Sequence, residues 1–82
     1  MLKIMATKTE QKVPKWFDGQ IYPKGGIVTN PYSGQSCELN ALELSIYDYL
    51  KGCESMGLAA ELGKCLEWFS RNNVEAYYTL LD

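Results

Sequence analysis

The sequence predicts an α+β fold in which a small antiparallel β-hairpin packs against three short helices. Three observations carry this prediction. A β-branched run is followed by a strong turn signal, a capping box stands ahead of an amphipathic stripe, and two further apolar stripes follow after short links. The 82 residues suffice for one domain, placed at residues 13–82, with residues 1–12 as a flexible leader.

The leader has no periodicity and few large apolar groups. Order begins at Val13-Pro14-Lys15-Trp16-Phe17, where two large aromatic rings arrive together. Asp18-Gly19 supplies a turn, and Gln20-Ile21-Tyr22 is a short extended piece ending at Pro23. After Gly25-Gly26, the run Ile27-Val28-Thr29 favours a strand. In Asn30-Pro31-Tyr32-Ser33-Gly34, Asn30 initiates a turn, Pro31 has its φ already set, and Gly34 can take positive φ to restart the ladder. Residues 35–39 form the return strand.

Asn40 and Glu43 have the spacing of a capping box, so a helix is predicted over residues 41–56, ending at Gly57. Leu42, Ile46, Leu50 and Cys53 share one face, flanked by Tyr47 and Tyr49. Leu58, Leu62, Cys65, Leu66 and Phe69 repeat the pattern in a second helix, with Glu67 and Arg71 as an i,i+4 pair on its exposed side. Asn72-Asn73 interrupts, and either residue can cap a final two-turn helix with Val74, Tyr77, Tyr78 and Leu81 on its apolar side. Gly52 and Gly63 lie inside the first two helices, where each costs about 1 kcal/mol relative to alanine. Close approach of the helices is the expected reason for them.

Composition narrows the function. Apolar residues make up 46% of the chain and ten residues are aromatic, as expected of a globular domain with a thin core. Three cysteines without a CxxC pair, and the absence of histidine, argue against a disulfide framework or a zinc site. Buried thiols in a reducing cytoplasm fit better. The first dozen residues lack the apolar run expected of a secretory signal, and no later stretch approaches the length of a membrane span. The net charge of −2 is split, with +3 over residues 1–26 and −5 over the remainder. A basic arm ahead of an acidic body could dock on an acidic surface.

Catalysis has little support. The usual general base is missing, and Cys65 lies on an apolar stripe although Lys64 precedes it. Asp48, Glu54, Glu61 and Glu67 are spread along outer helical faces, and Gly25-Gly26 lacks the context of a phosphate-binding loop. No enzymatic activity, cofactor, metal, membrane or small-molecule substrate is therefore expected. Binding has better support. Trp16, Phe17, Tyr22 and Tyr32 cluster in a Gly/Pro-rich segment together with Lys15 and Lys24, and these six are the candidate partner-binding residues. The leading expectation is a protein-interaction module or self-associating protein. The alternative is a single-strand nucleic-acid binder using the lysines and aromatics of residues 12–34. The acidic pI and the lack of a recognised nucleic-acid motif weigh against that alternative.

At Trp16-Phe17-Asp18-Gly19, Asn30-Pro31-Tyr32-Ser33-Gly34, Glu43-Leu44-Ser45-Ile46-Tyr47-Asp48 and Ala76-Tyr77-Tyr78-Thr79-Leu80-Leu81-Asp82, the chain resembles small uncharacterised proteins of marine cyanophages. The likeness covers about residues 5–82. It implies expression in an infected bacterial cytoplasm and an accessory or host-directed role, and it transfers no activity and no functional residue.

Overall fold

The computed structural model describes residues 11–81. The leader expected at residues 1–12 lies outside this range up to residue 10. Strand β1 (Gly26–Thr29) pairs antiparallel with β2 (Ser36–Leu39), in the register Gly26 to Leu39 and Thr29 to Ser36. Helices α1 (Ala41–Met56), α2 (Ala59–Asn72) and α3 (Val74–Ala76) follow, and α3 runs on into a π-helical turn, Tyr77–Leu81. The expected α+β class and the packing of the hairpin against three helices are both found.

The hairpin turn forms as its residues dictate. Asn30 Oδ1 accepts from the Tyr32 amide at 2.9 Å, and the Asn30 amide donates to the Gln35 carbonyl at 2.8 Å. Gly34 takes φ 78° and donates to the Asn30 carbonyl. The side chains of Ile27, Thr29, Ser36 and Glu38 face out, while Val28, Cys37 and Leu39 face the helices. Gly25 enters this hairpin against the backbone of Leu39 and Asn40. A Cβ there would lie 1.9 Å from the Leu39 carbonyl oxygen, so only glycine fits.

Helix α1 starts in the predicted capping box. Asn40 Oδ1 accepts from the Glu43 amide at 2.8 Å, and Glu43 Oε1 accepts from the Asn40 amide at 2.9 Å. It ends at Gly57 (φ 73°), whose amide bonds the Glu54 carbonyl while the Leu58 amide bonds that of Cys53. These two hydrogen bonds turn the chain directly into α2. Ile46, Leu50 and Cys53 of α1 meet Cys65, Trp68 and Phe69 of α2, with Leu39 closing the core from β2. Each such aliphatic side chain contributes about 1.5–3 kcal/mol on burial. Three T-shaped ring pairs add to this: Trp16–Phe17, Phe17–Tyr49 and Trp68–Phe69, with centroids 6.3, 5.3 and 5.1 Å apart.

Two expectations are corrected. Gly52 and Gly63 are exposed, and a Cβ at either would meet nothing within 4 Å. The facing stripes bring the helices together, and the glycines sit on the outer sides. In the last segment, Val74 (51% exposed) and Tyr78 (64%) point outward, while Ala76 and Leu80 are buried. Tyr77 and Leu81 pack partly against the core, as expected. The widened π turn shifts the 3.6-residue stripe, and Asn73 sets the rotation of α3 by accepting from the Ala76 amide at 3.1 Å while holding Glu43.

Glu43 goes well beyond capping. Its carboxylate is 1% exposed, and Oε2 accepts from Gln11 Nε2 at 2.7 Å and from Asn73 Nδ2 at 3.0 Å. Among the described residues, no buried side-chain nitrogen or oxygen lacks a partner. Glu43→Ala strands these donors and removes half of the cap, so it should cost roughly 3 kcal/mol in urea unfolding. Gly25→Ala forces the hairpin away from Asn40 and should cost about 2–3 kcal/mol in the same assay.

Burial pushes the Cys65 thiol from 9.0 up to about 11, with Cys53 and Glu61 adding to the shift. Between those values the folded chain keeps a proton that the unfolded chain releases. Stability from this group is therefore full below pH 9 and falls as pH rises toward about 11. Urea midpoints measured from pH 7.5 to 11 should fall in that window, less steeply for Cys65→Ala.

Candidate protein-binding site

The six candidate residues do not form one surface. Phe17 is 7% exposed and belongs to the core, its ring against Tyr49 of α1. Trp16 is half-buried over the same tyrosine, with ring centroids 6.5 Å apart, and lines a shallow hollow with Trp68, Arg71 and Asn72 of α2. Burial raises the pKa of the Tyr49 hydroxyl, with Cys53 contributing. Tyr22 is clipped to α1 at two points. Its amide donates to Ser45 Oγ at 2.8 Å, and its hydroxyl donates to the Asp48 carboxylate, which raises the tyrosine pKa. Ser45 is itself buried and donates to the Ala41 carbonyl at 2.7 Å, so the clip rests on a fixed oxygen.

Tyr32 is different. It is 95% exposed at the tip of the hairpin. Lys15 and Lys24 are also exposed, but the rings expected to interleave with them are packed or clipped. The stacking platform expected for a single-stranded nucleic acid is thus dispersed, with only Tyr32 standing clear among those four aromatics.

The tip is tied to the C-terminal segment. Asn30 Nδ2 donates to the Thr79 carbonyl at 3.0 Å, which ties the turn to the C-terminal π turn. Beneath it lies a groove of about 230 Å³ between the hairpin tip, α1, α2 and the π turn. Leu50, Leu62, Leu66 and Leu81 supply its apolar lining, and Pro31 and Tyr32 form one wall. Lys51 and Glu54 supply the polar part, as an ion pair of 3.1 Å that raises the lysine pKa, with the ammonium 5.8 Å from the Tyr47 ring. Such an exposed i,i+3 pair contributes at most about 1 kcal/mol, so it can be broken and re-formed around a bound group. At the α1–α2 turn, Met56 and Leu58 add further exposed apolar surface.

Sequence reasoning missed this groove because its lining comes from four elements far apart in the chain. Tyr32 was the one member with a signal of its own, as an aromatic at a turn tip. Among the described residues, no three acidic or cysteine side chains gather as a metal site would require, and no helix is long and apolar enough to cross a membrane. Compared with known protein families, with curated proteins and with solved structures, the chain has no match.

Proposed function

We propose that this chain is a small protein-interaction module whose contact surface is the hairpin tip and the groove beneath it. One observation carries the reading: Tyr32 is almost wholly exposed on a turn anchored to Thr79, beside a groove with an apolar lining. At 95% exposed, the Tyr32 ring adds little to folding, and tyrosine is a preferred anchor at interfaces. The fixed turn limits the entropy lost when a partner closes over it. Lys51 and Glu54 offer one charge of each sign at the edge, which orients a partner more than it strengthens binding. If the resemblance to cyanophage proteins holds, the partner belongs to an infected bacterial cytoplasm and the role is accessory or host-directed.

The test is recovery of partners from bacterial lysate on the tagged protein, with and without nuclease, read by mass spectrometry and repeated with Tyr32→Ala. The expected result is a discrete protein that survives nuclease and is lost with Tyr32→Ala. The variant's unfolding free energy from urea titration should stay within about 0.5 kcal/mol of the parent's. Recovery that is nuclease-sensitive, or unchanged by the substitution, overturns the proposal.

A further inference from the structure

We infer that residues 11–17 form a releasable strap, latched by Gln11 and pivoting at Asp18–Gly19, that stores the Trp16–Phe17 pair on α1 and α2. Among the described residues, the single main-chain to main-chain hydrogen bond of residues 11–25 runs from the Phe17 amide to the Pro14 carbonyl at 3.0 Å, inside the strap. Lifting the strap therefore breaks no sheet or helix bond. What holds it is the packing of Trp16 and Phe17 against the helices together with side-chain hydrogen bonds at its ends.

At one end, Gln11 Nε2 donates to Glu43 Oε2 and more weakly, at 3.4 Å, to the Asn72 carbonyl, while Gln11 Oε1 accepts from Asn40 Nδ2 at 3.0 Å. At the other, the Tyr22 clip on Ser45 and Asp48 holds the chain beyond the pivot. The Phe17 ring folds back over Gly19, where a Cβ would lie 2.8 Å from it, so the pivot residue is also the one the stored ring rests on.

The latch leaves the body intact when it opens. Glu43 keeps the Asn40 amide on one oxygen and Asn73 Nδ2 on the other. No buried carboxylate is stranded, so release can proceed as a local event short of global unfolding. Opening bares Tyr49 of α1 and the edge of Trp68, and it converts Trp16 and Phe17 from packed rings into exposed ones. The device lies on a different part of the surface from the hairpin-tip groove and does not depend on it.

Native-state hydrogen exchange on the full chain, at increasing low urea, tests the device. The Phe17 amide, whose single turn bond does not persist once the strap leaves the body, should exchange through an opening with a clearly smaller urea dependence than global unfolding, and faster than the helical amides of Leu50 and Phe69. Gln11→Ala should speed exchange at Phe17 about tenfold, leaving Tyr22, Leu50 and Phe69 within about twofold. Gln11→Glu, which places a second carboxylate against Glu43, should raise acrylamide quenching of tryptophan emission without loss of helical circular dichroism. The inference is overturned if Phe17 shares the urea dependence and protection of Phe69. It is equally overturned if Gln11→Ala speeds all four amides alike, or if Gln11→Glu leaves quenching unchanged.

Discussion

Glu43 holds a carboxylate that water no longer reaches, and a group in that position must have its oxygens met by donors. The donors come from three places in the chain: the Asn40 amide at the start of α1, Asn73 at the start of α3, and Gln11 ahead of the first turn. One side chain thereby sets where the hairpin hands over to α1, how α3 is rotated and where the N-terminal strap lands. Its place in the first turn of α1 also sets it against the positive end of the helix dipole. The arrangement is demanding in both directions. With both oxygens met it specifies one geometry, and with an oxygen left without any donor it becomes a liability.

Around that centre the core is narrow. Leu39, Ile46, Leu50 and Phe69 fill it with help from two thiols, and aromatic rings extend it sideways over α1 and α2. A chain of this size can bury only about two thirds of its surface, so large rings are drawn inward wherever they can reach. This competition explains why Trp16 and Phe17 pack while Tyr32 does not. The first two lie on a strap that crosses α1, whereas Tyr32 sits at the far end of a hairpin whose turn is fixed before its ring can reach the helices.

The surface follows the same division. At the hairpin tip, Tyr32 is exposed and the turn beneath it is tied to the Thr79 carbonyl. On the strap, the aromatic pair is stored and the backbone carries almost no pairing of its own. On the two proposals made above, a small domain would carry one exposed surface built on turn chemistry and one releasable surface held by a side-chain latch, without enlarging its core.

Local chemistry is what the sequence by itself determined. The hairpin turn at Asn30–Gly34, the capping box at Asn40 and Glu43, the α1 boundaries and the Glu67–Arg71 pair, at 3.1 Å, each depend on residues within five positions of one another. Short-range interactions of that kind are written in spacing. Tertiary structure alone decided which apolar residues were core and which were exposed. It turned Val74 and Tyr78 outward, left Gly52 and Gly63 in open space, buried Glu43 and drew Gln11 onto it. It also assembled the groove from residues more than fifty positions apart, Asn30 to Leu81. The physical reason is that a side chain's role depends on what lies across from it. In a chain with so thin a core, that is settled by how a few elements rotate against one another, and one buried carboxylate governs much of that rotation.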